Sequence, residues 1–271
     1  MTHPVRRACW ALLWLLLPGL IACTAAPTPR ATVRLHLAGA DSMQWIAQTL
    51  ADAYTQTHPW VVMTVRASNS QVGINVPREM AGGIGLVSRT IKPNELEQTR
   101  AIVVARDGIA VIVHPANPIT AIMRSQIVQV FAGEIAVWPL GPQAGKSISV
   151  ISREEGSGTR DAFEKMAMNG TRVTRTALVM PSEAAVVDYV ARNANAIGYV
   201  SMGAVTADVR ALTIDDISLS TQTVESQKYP FVRTLAFIVS TSADLETQDF
   251  LNFVIGGEGQ KIISQRYSRA P

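Results

Sequence analysis

The chain has 271 residues, 48% hydrophobic and 17% charged, with 24 lysines and arginines against 21 acids for a formal charge of +3. Arg6 and Arg7 supply two of those charges, so the rest of the chain carries about +1 and gives no support to a nucleic-acid role. The two cysteines are Cys9 and Cys23, which leaves the remainder without a thiol for a disulfide or zinc cluster; no metal or cofactor is expected.

In chain order, Arg6 and Arg7 followed by the apolar run Ala8 to Leu17 read as a signal peptide, too short to span a bilayer. Leu20-Ile21-Ala22-Cys23 resembles the bacterial lipobox, which implies a signal over 1–22, a lipid on Cys23 and a tether over 23–30. That anchor would be the attachment to the membrane, on the outer face of the cell.

Strands and helices then alternate, which gives an α/β protein. Thr32 to Ala38 reads as a strand, and Ser42 to Thr57 as a helix with Met43, Ile46, Ala47, Leu50, Ala53 and Tyr54 on one face. Strands follow at 60–66 and 84–87, with a short helix between them ending near Gly82. Ile109 to Val113 is continuously apolar, as a strand buried on both faces would be. A helix over 123–131 closed by Gly133, a strand over 148–152, helices over 160–168 and 182–193, strands over 196–200 and 231–239, and a last helix over 243–255 complete the order.

Three strand-to-helix junctions share a plan: LHLAGADSM at 35–43, VRASNSQVG at 65–73 and ISREEGSGT at 151–159. Each places a serine at a predicted helix start. Capping explains any one of them. Three together suggest hydroxyls and first-turn amides, helped by the helix dipole, converging on one oxyanion. Arg153 adds a guanidinium able to give two charge-assisted bonds, although pairing with Glu154 or Glu155 at the surface would explain it more plainly.

Further motifs carry a resemblance. GIGLVSR at 83–89, DGIAVIV from Asp107 with prolines at 115 and 118, Phe131 with GEI and Trp138, Arg153 with GSGT and Arg160, AIGYV at 196–200, and YP to Leu235 occur in colinear order. The chain resembles the phosphate-binding proteins of bacterial phosphate ABC transporters, of the type II periplasmic-binding fold. The resemblance implies two lobes, each a mixed sheet flanked by helices, joined by two hinge strands: lobe one over 31–110 plus 230–271 and lobe two over 111–229.

It also implies that Ser42 with the Met43 amide, Ser70, Arg153, Ser157, Gly158 and Thr159 contact inorganic phosphate. The carrier would be a monomer that delivers phosphate to a membrane permease. Some relatives place at Arg89 an aspartate that accepts the proton of phosphate, so the acceptor here is open; Asp41, Glu155 and Asp107 are candidates, with Asp41 first, and Ser88 and Arg89 are further candidate contacts. Asp41 could also simply precede the first helix, and Asp107-Gly108 could be a turn before the hinge strand. Gly83 and Gln71 also depart from the family pattern.

Sulfate, molybdate or tungstate are the alternative ligands, and a phosphate-sensing lipoprotein the alternative role. A secreted hydrolase is the remote one: GPQAGKS at 141–147 is one residue short of a P-loop, and no histidine follows Ser157. No enzymatic activity is expected.

Overall fold

The computed structural model describes residues 30–270, so the signal-peptide and Cys23 readings lie outside the described residues. β1 (Val33–Ala40) buries Leu35 and Leu37 on alternate positions, and a 3-10 turn over Asp41–Met43 leads into α1 (Gln44–Thr57). The buried face of α1 is Ile46, Ala47, Leu50, Ala51 and Tyr54. Ala51 thus replaces the expected Ala53, and Met43 belongs to the turn.

β2 (Val61–Ser68), α2 (Ser70–Glu79) and β3 (Gly83–Val87) follow. β3 is buried at every position, as a strand covered on both faces must be. Its approach to α2 is so close that a Cβ on Gly85 would lie 1.7 Å from the Gly73 carbonyl oxygen. Gly83 is similarly confined, since a Cβ there would meet the Val76 and Met80 carbonyls at 2.6 and 2.8 Å.

β4 (Thr99–Val113), β5 (Ala121–Ile122) and α3 (Arg124–Ala132) come next, α3 ending on left-handed Gly133 at φ 86°. Then come β6 (Ser149–Arg153), α4 (Gly158–Met166), β7 (Leu178–Met180), α5 (Glu183–Arg192) and β8 (Ala196–Ser201). The chain continues through β9 (Arg210–Ala211), β10 (Thr213–Ile214), α6 (Thr221–Glu225) and β11 (Val232–Ser240). It ends with α7 (Leu245–Ile255), α8 (Gly257–Ile263) and β12 (Ser268–Arg269).

The main sheet runs β2-β1-β3-β11-β4-β8-β6-β7, with β9 and β12 also on β4. Its outer members are parallel at both ends: β1 with β2 and β3, and β6 with β7 and β8. The middle is antiparallel. β4 pairs with β11 over Thr99–Gly108 and with β8 over Ile109–Val113, so this one strand passes between two bodies of core.

One core gathers Leu35, Leu37, Leu86, Val104, Leu235, Phe237 and Phe250, and the other Ile109, Val111, Phe131, Phe163, Tyr199 and Phe231. The changeover falls between Ala105 and Ile109 on β4 and between Phe231, just before β11, and Leu235 within it. Phe163 stacks on Tyr199 at 3.9 Å to anchor α4 on its sheet.

Two elements differ from the sequence expectation for identifiable reasons. The first half of β4 was hidden by Arg100, Arg106 and Asp107, yet the arginines lie toward solvent and Asp107 sits opposite Arg233 across the ladder. Asp107-Gly108 is therefore strand, not a turn. Gly256-Gly257 does end α7, but α8 starts at once because Gln260 N–H finds the Gly256 carbonyl at 2.9 Å. The GPQAGKS segment is a turn, in which Ala144 N–H donates to Gly141 O and Lys146 N–H to Gln143 O.

Asp107 is fully buried, and its Oδ2 accepts from Arg233 at 2.7 Å while its Oδ1 accepts from Ser201 Oγ at 2.8 Å and the Met202 amide at 3.0 Å. Removing one partner leaves the other charge stranded. Asp107→Ala should therefore lower unfolding stability by about 3–5 kcal/mol, read as a fall in the urea midpoint.

Candidate functional site

Of the three serine junctions, capping accounts for one. Ser157 is the N-cap of α4, its Oγ accepting from the Arg160 amide at 3.3 Å. At the second junction the cap is Asn69, whose side chain accepts from Val72 N–H, and Ser70 stands inside the helix, fully buried. At the first, neither Ala40 nor Met43 makes a side-chain cap, and the buried Ser42 Oγ has no partner among the described residues. Two buried serines are thus placed by something other than helix capping.

Ser70 Oγ accepts from the Ser88 amide at 3.1 Å and lies 3.4 Å from Ser88 Oγ. Gly158, at the start of α4, abuts the same pair: a Cβ there would be 2.2 Å from Ser70 Oγ and 2.3 Å from Ser88 Oγ. α2, β3 and α4 therefore meet backbone to hydroxyl. The first-turn amides of α4, at Gly158 and Thr159, have no acceptor within the helix and carry its positive dipole end.

Arg153, at the end of β6, is 0% exposed. Its Nη2 donates to Asp41 Oδ1 at 3.0 Å and to Glu154 Oε1 at 3.1 Å, and its Nε to Glu154 Oε2 at 3.1 Å and Met180 O at 3.2 Å. Nη1 has no partner among the described residues. Burial opposes the guanidinium charge, but Asp41 and Glu183 outweigh it and raise the pKa, so the cation persists. The surface-pair reading of Arg153 is corrected: Glu154 is a partner, but the group lies in the interior.

Asp41 spans the two cores. Its Oδ1 takes Arg153 Nη2 and its Oδ2 accepts the Glu183 amide at 2.8 Å, so it satisfies the first amide of α5, whose N-cap is Ser182, rather than preceding α1 idly. Beside it, Thr159 Oγ1 donates to Glu183 Oε1 at 2.6 Å and accepts from Arg233 Nη2 at 3.0 Å. Arg233 Nη1 donates to Ser88 O at 2.9 Å, closing a buried network from β3 through β11 and α4 to α5. With the hydroxyl hydrogen of Thr159 given to Glu183, the group it can offer an anion is its amide.

Glu155 stands apart: its side chain is 77% exposed and pairs with Arg172. Arg89 is held by Glu95 at 2.8 Å through both guanidinium ends and reaches Gln71 Oε1 at 3.1 Å. Arg89 therefore braces the α2 side of the site. Sequence reasoning missed Glu183, Arg233 and Tyr267. Glu183 lay within the expected 182–193 helix with no role assigned to it, and Arg233 sat in a quoted motif without a role. Tyr267 fixes Ser42 by donating its hydroxyl to the Ser42 carbonyl at 2.8 Å, from 225 residues away.

A buried guanidinium with an unpartnered Nη1, an unpartnered hydroxyl and helix-start amides lie where strands cross between two α/β cores, a set of donors of the kind that can hold a small anion. A family model described as a PBP superfamily domain matches residues 26–258, and the chain belongs to that superfamily, with its mixed α/β two-lobed periplasmic-binding-protein fold.

Among relatives, it is 26% identical over 238 residues to phosphate-binding protein PstS of Bacillus subtilis, covering 86% of this chain and 79% of that protein. It is 37% identical over 129 residues to phosphate-binding protein PstS 2 of Streptococcus pneumoniae, where the match covers 45% of this chain and 44% of the relative, less than half its length. Among solved structures, a protein assigned as a phosphate ABC transporter substrate-binding protein from Clostridium perfringens, with bound phosphate, superposes with a TM-score of 0.82 at 27% identity, covering 88% of this chain and 100% of that one. An ABC-type phosphate transport receptor from Vibrio cholerae gives 0.72 at 28% identity, with the same coverage.

The Arg89 brace has a pH signature. The hydrogen bond from Arg89 holds the Glu95 carboxyl down to about 2, below its usual 4.5. The contribution of the pair is thus complete above about 4.5 and is lost as pH falls toward about 2. Glu95→Gln should flatten the acid-unfolding curve in that window and leave the pH dependence of stability above it as in the unmodified protein, measured by thermal melts followed by circular dichroism.

Proposed function

We propose that this chain is an exported solute-binding protein that captures inorganic phosphate between lobe one (31–110 plus 230–271) and lobe two (111–229) and presents it to an ABC permease. The observation that carries the reading is the interior Arg153 with its unpartnered Nη1, together with the unpartnered Ser42 Oγ. In this assignment Arg153 supplies charge, and Ser42, Ser70, Ser157 and the amides of Met43, Gly158 and Thr159 satisfy the oxygens. The names of the relatives and the phosphate in the Clostridium structure support the same ligand.

The remaining parts of the reading follow from the sequence. A lipid on Cys23 would hold the protein to the outer face of the membrane, where a monomer can meet its permease. Binding without chemistry is the role: Ser157 caps a helix, and its Oγ is engaged with the Arg160 amide rather than with a histidine base.

Calorimetric titration of the purified, anion-stripped protein with phosphate and with sulfate at neutral pH tests the assignment. Tight phosphate binding with a weak sulfate response is expected; no phosphate binding would end it. Arg153→Ala should weaken phosphate binding by about 2–4 kcal/mol, because the anion loses its cation and Asp41 loses its partner. Ser157→Ala should cost less, about 1–2 kcal/mol.

A further inference from the structure

Glu183 is 3% exposed, and its two carboxylate oxygens are treated differently. Oε1 accepts from Thr159 Oγ1 at 2.6 Å and from the Ser201 amide at 3.2 Å, with Arg233 Nη2 at 4.0 Å. Oε2 is buried and has no hydrogen-bond partner among the described residues. Both oxygens of Asp41 are engaged by Arg153 and by the Glu183 amide, and those of Asp107 by Arg233, Ser201 and Met202. The carboxylate oxygen left to meet a ligand in this cluster is therefore Glu183 Oε2.

The surrounding charge says in which form. Arg153 and Arg233 are the two guanidiniums of the cluster, and Asp41, Glu154, Asp107 and Glu183 are the carboxylates paired with them or beside them. Adding a further anion to such a buried, acid-rich set requires a proton at the point of contact. We propose that Glu183 Oε2 shares one proton with the bound oxyanion and so sets which tetrahedral anions the site accepts, a role that rests on the phosphate-binding reading above.

A monohydrogen anion brings the proton on its own hydroxyl, which donates to ionised Oε2. An anion without a proton binds well when Glu183 is itself protonated and donates from Oε2. The carboxyl is pushed up to about 7, by burial first and then by Asp41, with Asp107 acting in the same sense and Arg233 and the Thr159 hydroxyl opposing. The charged and titratable groups around it are Asp41 from the 3-10 turn, Asp107 on β4, Arg153 on β6, Arg233 on β11 and the Tyr267 phenol; β8 adds the Ser201 amide. Selectivity against a proton-free anion is therefore high above about 7 and is lost below it.

Sulfate is the clean probe because it carries no proton across this range. For the purified protein, sulfate affinity measured by calorimetry from about pH 8 to about pH 5.5 should rise about tenfold or more through about 7, with proton uptake seen as a buffer-dependent heat. Glu183→Gln keeps the oxygen that accepts from Thr159 and Ser201 and replaces Oε2 with a permanent donor. In that variant sulfate binding should become strong and independent of pH, and the phosphate preference at about pH 8 should fall about tenfold or more.

A flat sulfate profile in the unmodified protein, or Glu183→Gln that binds phosphate with unchanged preference and unchanged pH dependence, would overturn the role of Glu183 while leaving phosphate capture standing. Failure of the unmodified protein to bind phosphate at any of these pH values would instead remove the functional reading on which it rests. Should the variant not fold, the pH profile and buffer dependence of the unmodified protein decide the matter alone.

Discussion

Arg233 is the interaction on which the site depends. It lies on β11 opposite Asp107 on β4, close to where both strands pass from one core to the other. Its guanidinium gives Nε and Nη2 to Asp107, Nη1 to the Ser88 carbonyl and Nη2 also to the Thr159 hydroxyl. One planar fork thus ties the crossing strand to the end of β3 and to the first turn of α4. A lysine could not serve all of these, because its ammonium is a single point with no spread of donors. Thr159, fixed from one side by Arg233, fixes Glu183 on the other.

That arrangement sets an electrostatic problem and its solution together. Carboxylates outnumber guanidiniums around the site, and the buried ion pairs among them cost desolvation that pairing offsets only when every remaining donor and acceptor is met. The three unmet side-chain atoms in the cluster are a guanidinium nitrogen, a hydroxyl and a carboxylate oxygen: Arg153 Nη1, Ser42 Oγ and Glu183 Oε2. Two of them can donate and one accepts. A tetrahedral anion carrying one hydroxyl has complementary groups for all three, whereas one without a proton leaves the acceptor facing like charge.

Much of the fold was legible because periodicity reports burial, and burial here is regular: β3, β8 and the C-terminal half of β4 are apolar runs with both faces covered. The N-terminal half of β4 was not, since Asp107 is a polar residue at a core position whose partner, Arg233, is 126 residues distant. Ser42, Ser70, Ser157 and Arg153 could be singled out as candidates from junction chemistry, because a strand ending in small and hydroxylic residues before a helix is a local pattern, whereas Gly158 and Thr159 came in through the family resemblance. Glu183 and Tyr267 act through contacts made across the fold, and no local spacing records them. Arg89 shows the reverse: a cation at a suggestive position proved to be engaged by an acid six residues on.

Asp41 ties elements of both cores together at the site. It belongs to the turn after β1, yet its carboxylate is bound by Arg153 on β6 and by the amide that opens α5. Gly158 likewise presses its backbone on Ser70 and Ser88 from the opposite core. If the lobes part, these contacts go together, and water reaches groups that are dry when the lobes meet. Closing therefore has a desolvation cost shared by every member of the cluster, and an anion that satisfies the unmet atoms offsets it only in the closed form. The ligand needs no separate trigger: binding the shut state more tightly than the open one is itself what shifts the population toward closure. On the proposed role of Glu183, an anion that leaves Oε2 unmet would gain less from closing, and discrimination by proton content and by shape would fall in the same step.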